Sequence, residues 1–411
     1  MLDQVAGMLA LILAVLFYAI AAYHLSLISA GLRRTRNFPL PFHKGSLRNP
    51  VDLPKVSLII PARDEEAVIR GAIQCADALD YPRGLLEIIV VEDGSTDETP
   101  GIARRMEPEV KNLIALTGGE TKGKPAALNR ALRFASGELI AVFDSDTRYE
   151  QDLLLRVAKF FHDHPGVAVA QAYPEIANSE TNVITRLNAI EMHAWFRGMQ
   201  AAKSERGLFV HIGGTGMFIR RDVFQTVGQW DENALTEDLE FSLRLARAGV
   251  KVAMLPAPVR IQPTYTARDL LHQRRRWWGG ALQVARKALR PTHGESGSLF
   301  SRVDRALYLS APLFFFIGSV SFFASIGYMI VRLDFTAAAS AWVLGLLSSN
   351  LVLAPLVVAQ AVRSRRPRLL LLLPGLYVYW MLQLVSFLWA LGSVVVGSRI
   401  PWVRTPKRKL D

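Results

Sequence analysis

Apolar runs alternate with amphipathic stretches between residues 53 and 263, and this alternation predicts an α/β domain. The apolar runs are short and rich in β-branched residues, as expected for strands that are buried on both faces of a sheet. They are Val56–Ile60, Leu85–Val91, Asn112–Leu116, Leu139–Phe143 and Val167–Ala170. Stretches with helical spacing separate them, namely Glu65–Leu79, Pro125–Ala135 and Asp152–His162. This order predicts a Rossmann-like, mostly parallel sheet with helices on both faces.

Acidic residues follow several of these predicted strands. Asp64, Asp93, Asp144 and Asp146 each come just after an apolar run. In open α/β sheets, ligands bind beyond the carboxyl ends of the strands, near the point where the strand order switches. We therefore expect these carboxylates to converge on one edge of the sheet.

Four other apolar segments reach the length of about 20 residues that a membrane-spanning helix needs. They are Ala6–Ile28, Ala306–Val331, Ala337–Val362 and Leu369–Val396. The first is too long for a signal-peptide core and lacks a basic start, which favours a permanent anchor. Arginines at positions 33, 34 and 36 follow it, so the positive-inside rule places residues 33–300 in the cytosol.

The number of C-terminal crossings stays open at this point. Three crossings after residue 300 would place the basic run 363–368 inside, but would place the basic tail 404–409 outside, against the same rule. Either the last segment is broken or re-entrant at Pro374-Gly375, or one of the four segments lies in the membrane interface.

These patterns divide the chain into five predicted parts. We expect an N-terminal transmembrane anchor, a catalytic α/β domain, an amphipathic interface helix with a linker, a block of transmembrane helices and a basic tail. In the same order, the predicted boundaries are 1–32, 33–265, 266–300, 301–398 and 399–411.

The charge of the chain agrees with a membrane location. There are 48 Lys and Arg against 36 Asp and Glu, a net charge of +12, although 51% of the residues are hydrophobic. The basic residues cluster beside apolar segments, as membrane-flanking charge does. They do not form a long surface interleaved with aromatic residues, which argues against a nucleic-acid partner. We predict membrane lipid as a partner and no nucleic acid.

The motif Asp144-Ser145-Asp146 ends a buried apolar run. Two carboxylates at positions i and i+2 of an extended chain point the same way and can share a hard divalent cation. A turn with solvated carboxylates is the plainer alternative, since about one D-x-D arises by chance in a chain of this size. The position after a buried strand favours a metal site.

Two glycine-containing loops follow other predicted strands. In the first, Asp93 is either part of an ordinary turn or a hydrogen-bond acceptor for a nucleotide base or ribose. The second, Gly118–Pro125, nearly matches the phosphate loop of ATP-binding proteins. Pro125 has neither hydroxyl nor N–H and instead fits the first turn of a helix. A transport ATPase is therefore the weaker alternative, and Lys122 and Lys124 become candidates to face an anionic substrate.

Two further motifs each allow a structural and a chemical interpretation. Thr236-Glu237-Asp238 suits any helix start, or supplies Asp238 as a general base held ionised by the helix N-terminus. The sequence Gln273-Arg274-Arg275-Arg276-Trp277 lies in a predicted helix over Ala267–Ala288. This helix is suited to the membrane interface, to phosphate oxygens, or to both through different residues.

Taken in this order, the motifs resemble those of the family-two inverting glycosyltransferases, which have the GT-A fold. The chain is most similar to the membrane-embedded synthases of cellulose, hyaluronan and poly-N-acetylglucosamine. The resemblance runs from Pro61 to Trp277 and continues more loosely over the C-terminal spans. Its further matching segments are Gly123–Asn129, Gly213–Gly216 and Gly228–Glu232.

The resemblance implies a role for each matching residue. The implied catalytic residues are Asp238, as the base, and Glu237. The implied metal ligands, for Mg²⁺ or Mn²⁺, are Asp144 and Asp146. The implied donor-binding residues are Pro61, Ala62, Glu65, Asp93, Lys124, Asp144, Gln273 and Arg276. The implied acceptor-binding residues are Gly214, Thr215 and Trp277.

The resemblance also implies an activity. We expect a bacterial-type cytoplasmic-membrane enzyme with a cytosolic catalytic domain, which moves a sugar from a nucleotide-sugar donor, with UDP favoured, to a saccharide acceptor in polysaccharide synthesis. The alternative is transfer of a single sugar to a lipid acceptor. About three C-terminal spans leave little material for a polymer channel, so processivity stays open. A catalytically silent receptor for nucleotide-sugars is the remaining alternative.

Overall fold

The computed structural model describes residues 2–37, 53–119, 122–290, 295–312, 327, 330–331, 357–358, 367–401, 403, 405 and 407. A seven-stranded sheet forms their centre, in the order β3-β2-β1-β4-β6-β5-β7. The strands are β1 Val56–Ala62, β2 Leu86–Glu92, β3 Leu113–Leu116, β4 Leu139–Val142, β5 Val169–Ile176, β6 Met217–Arg220 and β7 Val252–Ile261.

The sheet is mostly parallel, as predicted. Strand β1 pairs in parallel with β2 and β4, β2 with β3, and β5 with β7. Strand β6 runs antiparallel to both of its neighbours, β4 and β5. The apolar pattern did not predict β6, which has only four residues. It did not predict β7 either, because that strand contains Pro256 and Pro258; β7 lies at the edge of the sheet, where proline is tolerated.

The described helices are as follows: α1 Leu2–Arg34, α2 Ile69–Asp77, α3 Thr99–Met106, α4 Lys124–Leu132, α5 Leu153–Asp163, α6 Val183–His193, α7 Ala201–Glu205, α8 Val223–Val227, α9 Glu237–Arg247, α10 Ala267–Ala288, α11 Leu299–Leu309 and α12 Leu372–Val396. A π-helical turn, Ala194–Gln200, joins α6 to α7. Helix α2 begins four residues later than predicted, because the backbone N–H groups of Val68 and Ile69 close a turn on the Glu65 carbonyl.

Side chains that alternate along each strand divide into two apolar cores, one on each face of the sheet. Leu58 and Ile60 of β1 pack into the core that α2, α3 and α5 cover. Ile59 packs into the opposite core, together with residues of α4 and α9. Because both faces are covered, the open edges of the sheet are the place where a ligand can reach the strand ends.

The N-terminal helix docks onto the α/β domain through its last turns. Leu27 and Ile28 are buried against α7 and α9 residues. A Cβ atom added to Gly31 would lie 1.9 Å from the Gly198 carbonyl oxygen, so the backbone of α1 touches the π-helical turn. The predicted anchor Ala6–Ile28 lies within this single helix, and its insertion in a membrane stays a prediction.

Within the described residues, one helix is long and apolar enough to cross a membrane. It runs over Pro367–Val396 with a mean hydropathy of 1.7, a criterion of length and composition only. Helix α12 is unbroken, because Pro374 falls in its first turn, where a missing N–H costs no hydrogen bond. The predicted spans 306–331 and 337–362 lie mostly outside the described residues.

Helix α10 has the predicted bounds and joins the α/β domain to α12. Its N-terminus is capped by the Thr266 hydroxyl, which accepts from the Asp269 N–H. Gly280 faces the segment before α9, where an added Cβ would lie 2.1 Å from the Thr236 hydroxyl oxygen. Thr236 lies at the predicted start of α9, but its hydroxyl makes no capping bond. The close approach to Gly280 explains this difference from the expected cap.

We predict that Gly280→Ala destabilises the protein. Alanine normally stabilises a helix by about 1 kcal/mol relative to glycine. Here the methyl group would overlap Thr236, and overpacking of this kind costs about 1–3 kcal/mol. Thermal unfolding in detergent should show a lower melting temperature. The control is Gly84→Ala, because a Cβ there meets nothing within 4 Å. A higher melting temperature for Gly280→Ala would show that α10 and Thr236 are not in tight contact.

Candidate active site

The loops that follow β1 and β2 are bonded to each other at one edge of the sheet. The Asp64 carboxylate accepts from the Thr96 N–H at 2.7 Å, and the Asp64 N–H donates to the Ser95 hydroxyl at 3.0 Å. Asp64 adopts a left-handed conformation with φ of 53°, which aspartate tolerates better than most residues. The Glu65 N–H donates to the Thr99 hydroxyl at 2.7 Å. These bonds fix the backbone beside Pro61 and Ala62, the last residues of β1.

Asp93 lies directly beside this backbone and is 7% exposed. Its N–H donates to the Ala62 carbonyl at 3.0 Å. Its carboxylate accepts from the N–H groups of Lys122 and Gly123, both at 3.0 Å. Burial raises the pKa of the Asp93 carboxyl and outweighs these two bonds, which lower it. Asp93 thus joins the predicted nucleotide-binding turn to the N-terminus of α4.

The ammonium group of Lys124 joins three loops at the centre of this edge. Its Nζ lies 2.7 Å from Asp144 Oδ1, 2.7 Å from the Gly214 carbonyl oxygen and 3.1 Å from Glu237 Oε1. Burial lowers the pKa of Lys124, but the Asp144 and Glu237 carboxylates outweigh it and hold the pKa above its usual value. The side chain therefore carries a positive charge between two carboxylates.

Asp238 lies beside this ion pair, on the same side of Gly214. A Cβ added to Gly214 would lie 2.9 Å from Lys124 Nζ and 3.4 Å from Asp238 Oδ2. Only glycine leaves this space open, so the loop 213–216 can approach the start of α9. The second oxygen, Asp238 Oδ1, accepts from the Leu239 N–H at 2.7 Å.

The groups around Asp238 keep it ionised. Burial on its own raises the pKa of the carboxyl, but His211, Lys124 and the Leu239 N–H outweigh burial and hold the pKa below its usual value. A partly buried carboxylate that stays charged can accept a proton from a bound hydroxyl group. The structure brings Asp238, Glu237 and Lys124 together beside Gly214.

The D-x-D segment corrects one sequence expectation. We expected Asp144 and Asp146 to point the same way from an extended chain. Instead, they lie in a turn closed by the Thr147 N–H and the Asp144 carbonyl at 2.9 Å. Asp144 faces Lys124, whereas Asp146 accepts from the Gln262 N–H at 3.2 Å and pairs with Lys407 Nζ at 2.6 Å. The chain turns here because β4 ends two residues before Asp144.

The same turn carries both carboxylates of the predicted metal site. Within the described ranges, no group of three or more His, Cys, Asp or Glu is arranged to hold a metal ion. Two carboxylates still fit Mg²⁺ or Mn²⁺, which are commonly held by one or two carboxylates with phosphate oxygens and water. In this structure both carboxylates are paired with ammonium groups, Asp144 with Lys124 and Asp146 with Lys407.

Thr215 contacts the D-x-D turn. Its hydroxyl accepts from the Asp144 N–H at 3.0 Å and lies 2.7 Å from the Thr147 hydroxyl oxygen. Gln171 of β5 holds the same loop, since its amide bonds the Gly213 N–H and the Thr215 carbonyl. The Thr215 hydroxyl therefore helps to hold the D-x-D turn. The acceptor-binding role that the resemblance implies for Thr215 would be additional to this contact.

The arginines of α10 face two directions. Arg276 donates to the Leu235 carbonyl, next to the T-E-D segment, at 3.3 Å. Arg274 pairs with Glu191 and donates to the Tyr379 hydroxyl of α12 at 3.0 Å. Arg275 stacks on the Trp389 ring of α12 at 3.9 Å. One face of α10 thus lies beside the T-E-D segment and another against α12, while binding of phosphate oxygens by these arginines stays a prediction.

Gln273 and Trp277, the other implied site residues of α10, are both partly buried. The Trp277 ring lies 4.2 Å from the Arg274 guanidinium carbon, a cation–π contact. This contact orients the ring against the helix that carries the arginines.

Sequence reasoning missed three residues of this region. Gln171 stands in an apolar strand, His211 precedes the glycine-rich loop, and Lys407 belongs to the basic tail. The fully buried amide of Gln171 within a strand was the one available signal, because a polar side chain in an apolar run needs a partner. The contacts of His211 and Lys407 join distant parts of the chain and have no local pattern.

Comparison with known proteins identifies the family. The family model described as "Glycosyltransferase like family 2" matches residues 54–280, more than half of the chain. The chain belongs to glycosyltransferase family 2. Its enzymatic class is therefore that of a glycosyltransferase, and the loops joined by Lys124 lie within the matched residues.

Two proteins of known name are similar in sequence to this chain. A β-monoglucosyldiacylglycerol synthase from Nostoc is 36% identical over 237 residues, which are 56% of this chain and 50% of that protein. The poly-β-1,6-N-acetyl-D-glucosamine synthase of Staphylococcus aureus is 25% identical over 251 residues, with 61% and 60% covered. The chain therefore spans about half the length of the first relative.

A mannosyltransferase from Pyrobaculum calidifontis, solved with GDP-mannose and Mn²⁺, has a similar fold. It superposes with a TM-score of 0.57 at 20% identity and covers 94% of this chain and 100% of its own. The match confirms the GT-A type of fold that the motifs implied.

We predict that Lys124→Met destabilises this glycosyltransferase. The substitution leaves Glu237, whose side chain is 6% exposed, without its cation. A buried charged group that loses its partner costs about 1–3 kcal/mol or more. Thermal unfolding should show a lower melting temperature than for Lys122→Met, which removes the same charge from an exposed neighbour. Equal melting temperatures for the two variants would contradict the central place of Lys124.

Proposed function

We propose that this enzyme transfers a sugar from a nucleotide-diphosphate donor to an acceptor hydroxyl, with inversion at the anomeric carbon. The observation that carries the proposal is the meeting of Asp144, Lys124 and Asp238 around Gly214. The ammonium group that pairs with the D-x-D turn and the ionised base then lie next to each other, on the side of Gly214 where a Cβ would be. This juxtaposition suits a reaction in which a cation stabilises the leaving diphosphate while a neighbouring base takes the proton of the attacking hydroxyl.

The donor side rests on the loops after β1, β2 and β4. Asp93 and the backbone beside Pro61, Ala62 and Glu65 would bind the nucleoside. Lys124 and Asp144 would face the diphosphate, with Gln273 and Arg276 closing the site from α10. Arginine suits this task because its guanidinium matches phosphate oxygens. The resemblance to polymer synthases favours UDP over GDP.

A divalent cation would be held by Asp144 and Asp146. When bound, Mg²⁺ or Mn²⁺ neutralises charge on the leaving diphosphate. The chain's own cations serve the same region, because Lys124 lies on Asp144 and Lys407 on Asp146. Lys407 would have to leave Asp146 for the metal ion to bind there.

On the acceptor side, Asp238 would take the proton of the attacking hydroxyl. Its Oδ2 faces Gly214, at the loop 213–216 that the resemblance assigns to the acceptor. Glu237 would keep Lys124 in place, and Trp277 would stack on the acceptor. The roles of Asp238 and Glu237 are supported by their positions beside Gly214, whereas that of Trp277 rests on the family resemblance.

For the acceptor, we propose a lipid hydroxyl that receives a single sugar. The relatives named β-monoglucosyldiacylglycerol synthase share 36% identity with this chain, against 25% for the poly-N-acetylglucosamine synthase. The contacts of Arg274 and Arg275 with α12 support this choice, since they place the candidate membrane helix beside the site. A saccharide acceptor is the second candidate, favoured by the Gln273–Trp277 motif.

We propose a cytosolic catalytic domain, residues 33–265, in an integral membrane protein. The anchor 1–32, the interface helix 266–300, the spans 301–398 and the tail 399–411 complete the proposed organisation. Helix α12 within residues 301–398 supports it by its length and composition.

We predict that Asp238→Asn binds donor but does not transfer sugar. The base acts mainly in the transition state, so its loss lowers turnover far more than donor affinity. General-base catalysis contributes about 10²–10⁴-fold. Release of nucleoside diphosphate measures turnover, and calorimetry measures donor binding. Asp222→Asn, which neutralises an exposed carboxylate outside the site, is the matched control. Unchanged turnover in Asp238→Asn would remove this residue from the mechanism.

We predict that Asp146→Ala weakens metal and donor binding together. The substitution removes one of the two carboxylates, and hard divalent cations depend on such oxygen ligands. Calorimetry with a nucleotide-sugar, with and without Mn²⁺, measures both affinities. The affinity for donor with metal should fall, whereas the affinity without metal should change little. An unchanged response to Mn²⁺ would contradict the metal assignment.

The acceptor assignment has its own test. The full chain in lipid vesicles that contain diacylglycerol is given radiolabelled UDP-sugars and then GDP-sugars. Label that enters the organic phase as one monoglycosylated species supports a lipid acceptor and names the donor. Label in a water-soluble product of high mass, resolved on a sizing gel, would contradict this assignment and favour the polysaccharide candidate.

A further inference from the structure

His211 lies beside the proposed base and has no part in the roles described above. It belongs to the segment between α7 and β6, two residues before Gly213. Its Nε2 is 4.0 Å from Asp238 Oδ1, and its side chain is 20% exposed. The nitrogen is buried and has no hydrogen-bond partner. A buried imidazole nitrogen this close to a carboxylate calls for an explanation.

The other side of His211 is firmly held. Its backbone N–H donates to Gln200 Oε1 at 3.0 Å, and its ring Nδ1 lies 2.7 Å from the Tyr308 hydroxyl oxygen. The rings of Trp195 and Tyr308 meet the imidazole edge-to-face. These contacts fix both the plane of the ring and the direction of its Nε2.

Electrostatics select the tautomer. If Nε2 of the neutral imidazole carried no proton, its lone pair would face the Asp238 carboxylate, and the two would repel each other. A proton on Nε2 removes this repulsion and leaves Nδ1 as the acceptor of the Tyr308 O–H. Tyr308 is itself held by Lys203, whose Nζ lies 4.5 Å from the ring centroid, and Lys203 pairs with Asp304 at 2.8 Å.

The two oxygens of Asp238 therefore have different surroundings. Oδ1 accepts from the Leu239 N–H and faces His211 Nε2. Oδ2 faces the Gly214 loop. A donor on Oδ1 stabilises the charged carboxylate and leaves Oδ2 for the acceptor hydroxyl.

We propose that His211 is a positioning residue that orients Asp238 through an Nε2–H···Oδ1 hydrogen bond, which forms when the 4.0 Å separation shortens in the reacting complex, with Tyr308 fixing the tautomer. This inference rests on the proposed function. In the reaction, the acceptor hydroxyl gives its proton to Asp238 Oδ2, and its oxygen forms the bond to the anomeric carbon. The bond between that carbon and the diphosphate breaks, and the diphosphate keeps the electron pair. His211 neither gains nor loses a proton in this step.

The charged and titratable groups that face Asp238 come from three directions. His211 approaches from the segment before β6, Lys124 from α4, and Tyr308 from α11 behind the imidazole. Glu237, the neighbour on α9, is paired with Lys124. His211 and Lys124 both hold the pKa of Asp238 below its usual value against burial. Removal of the His211 donor should therefore raise that pKa.

The test compares His211→Leu with His211→Gln. Leucine has no donor, whereas the amide nitrogen of glutamine can reach the position of Nε2. The kcat and the donor KM are measured by nucleoside diphosphate release over a range of pH. His211→Leu should lower kcat by about 10- to 100-fold, the factor for one lost hydrogen bond to a charged group, with donor KM nearly unchanged. The acid limb of its pH–kcat profile should move to higher pH, because Asp238 now titrates with a raised pKa.

His211→Gln should retain kcat within about threefold, the equivalent of about 0.7 kcal/mol, and keep the acid limb in place. Tyr308→Phe should shift kcat and the acid limb in the same direction as His211→Leu, but by a smaller amount. If the leucine variant does not fold, Tyr308→Phe replaces it as the test. His162→Leu, on the exposed side of α5, is the matched control.

Two results would overturn the inference: an unchanged His211→Leu enzyme, or equal losses in the leucine and glutamine variants with an unmoved acid limb. The second result would mean that His211 only supports packing. Failure of the proposed function has a different signature. In that case the wild-type chain releases no nucleoside diphosphate, or Asp238→Asn releases as much as the wild type.

Discussion

The candidate site depends on one partly buried positive charge, the ammonium group of Lys124. It lies between Asp144, Glu237 and the Gly214 carbonyl, which belong to three segments far apart in the chain. Without a cation at this point, two carboxylates and a carbonyl oxygen would face each other across a partly dry space, which is unfavourable. The charge therefore holds the D-x-D turn, the glycine-rich loop and the start of α9 in one place.

The fold provides the setting for this charge. Parallel pairing of β1 with β2 and β4 brings their carboxyl ends to the same edge, so that loops distant in sequence become neighbours. The antiparallel strand β6 returns the glycine-rich loop to that edge. Helix α10 then closes the site against Thr236 through Gly280 and carries its other arginines to α12. The same helix thus connects the chemistry to the apolar part of the chain.

Much of this arrangement was predictable from the sequence. Physical reasons explain both the features that were predicted and those that were missed. Strands buried on both faces read as continuous apolar runs, so β1 to β4 were found within a few residues. The sheet-edge rule grouped the acidic residues that follow β1, β2 and β4, but it did not include Asp238, which lies at the start of α9. Strand β7 was missed because its two prolines interrupt the apolar pattern by which a strand is recognised. The contact of His211 with Asp238 was missed because a single imidazole before a glycine-rich loop has no spacing signal. The pairing of Lys407 with Asp146 depends on tertiary structure alone.

The central claim is that the edge around Lys124 is a nucleotide-sugar site. Its most direct test is a structure of the full chain, determined in lipid with a nucleoside diphosphate and Mn²⁺. The account predicts that the diphosphate lies between the Asp144 turn and Arg276 of α10, that Lys407 has left Asp146, and that the base or ribose lies beside Asp93. A diphosphate bound elsewhere, with the contacts of Lys124 and Lys407 unchanged, would contradict it.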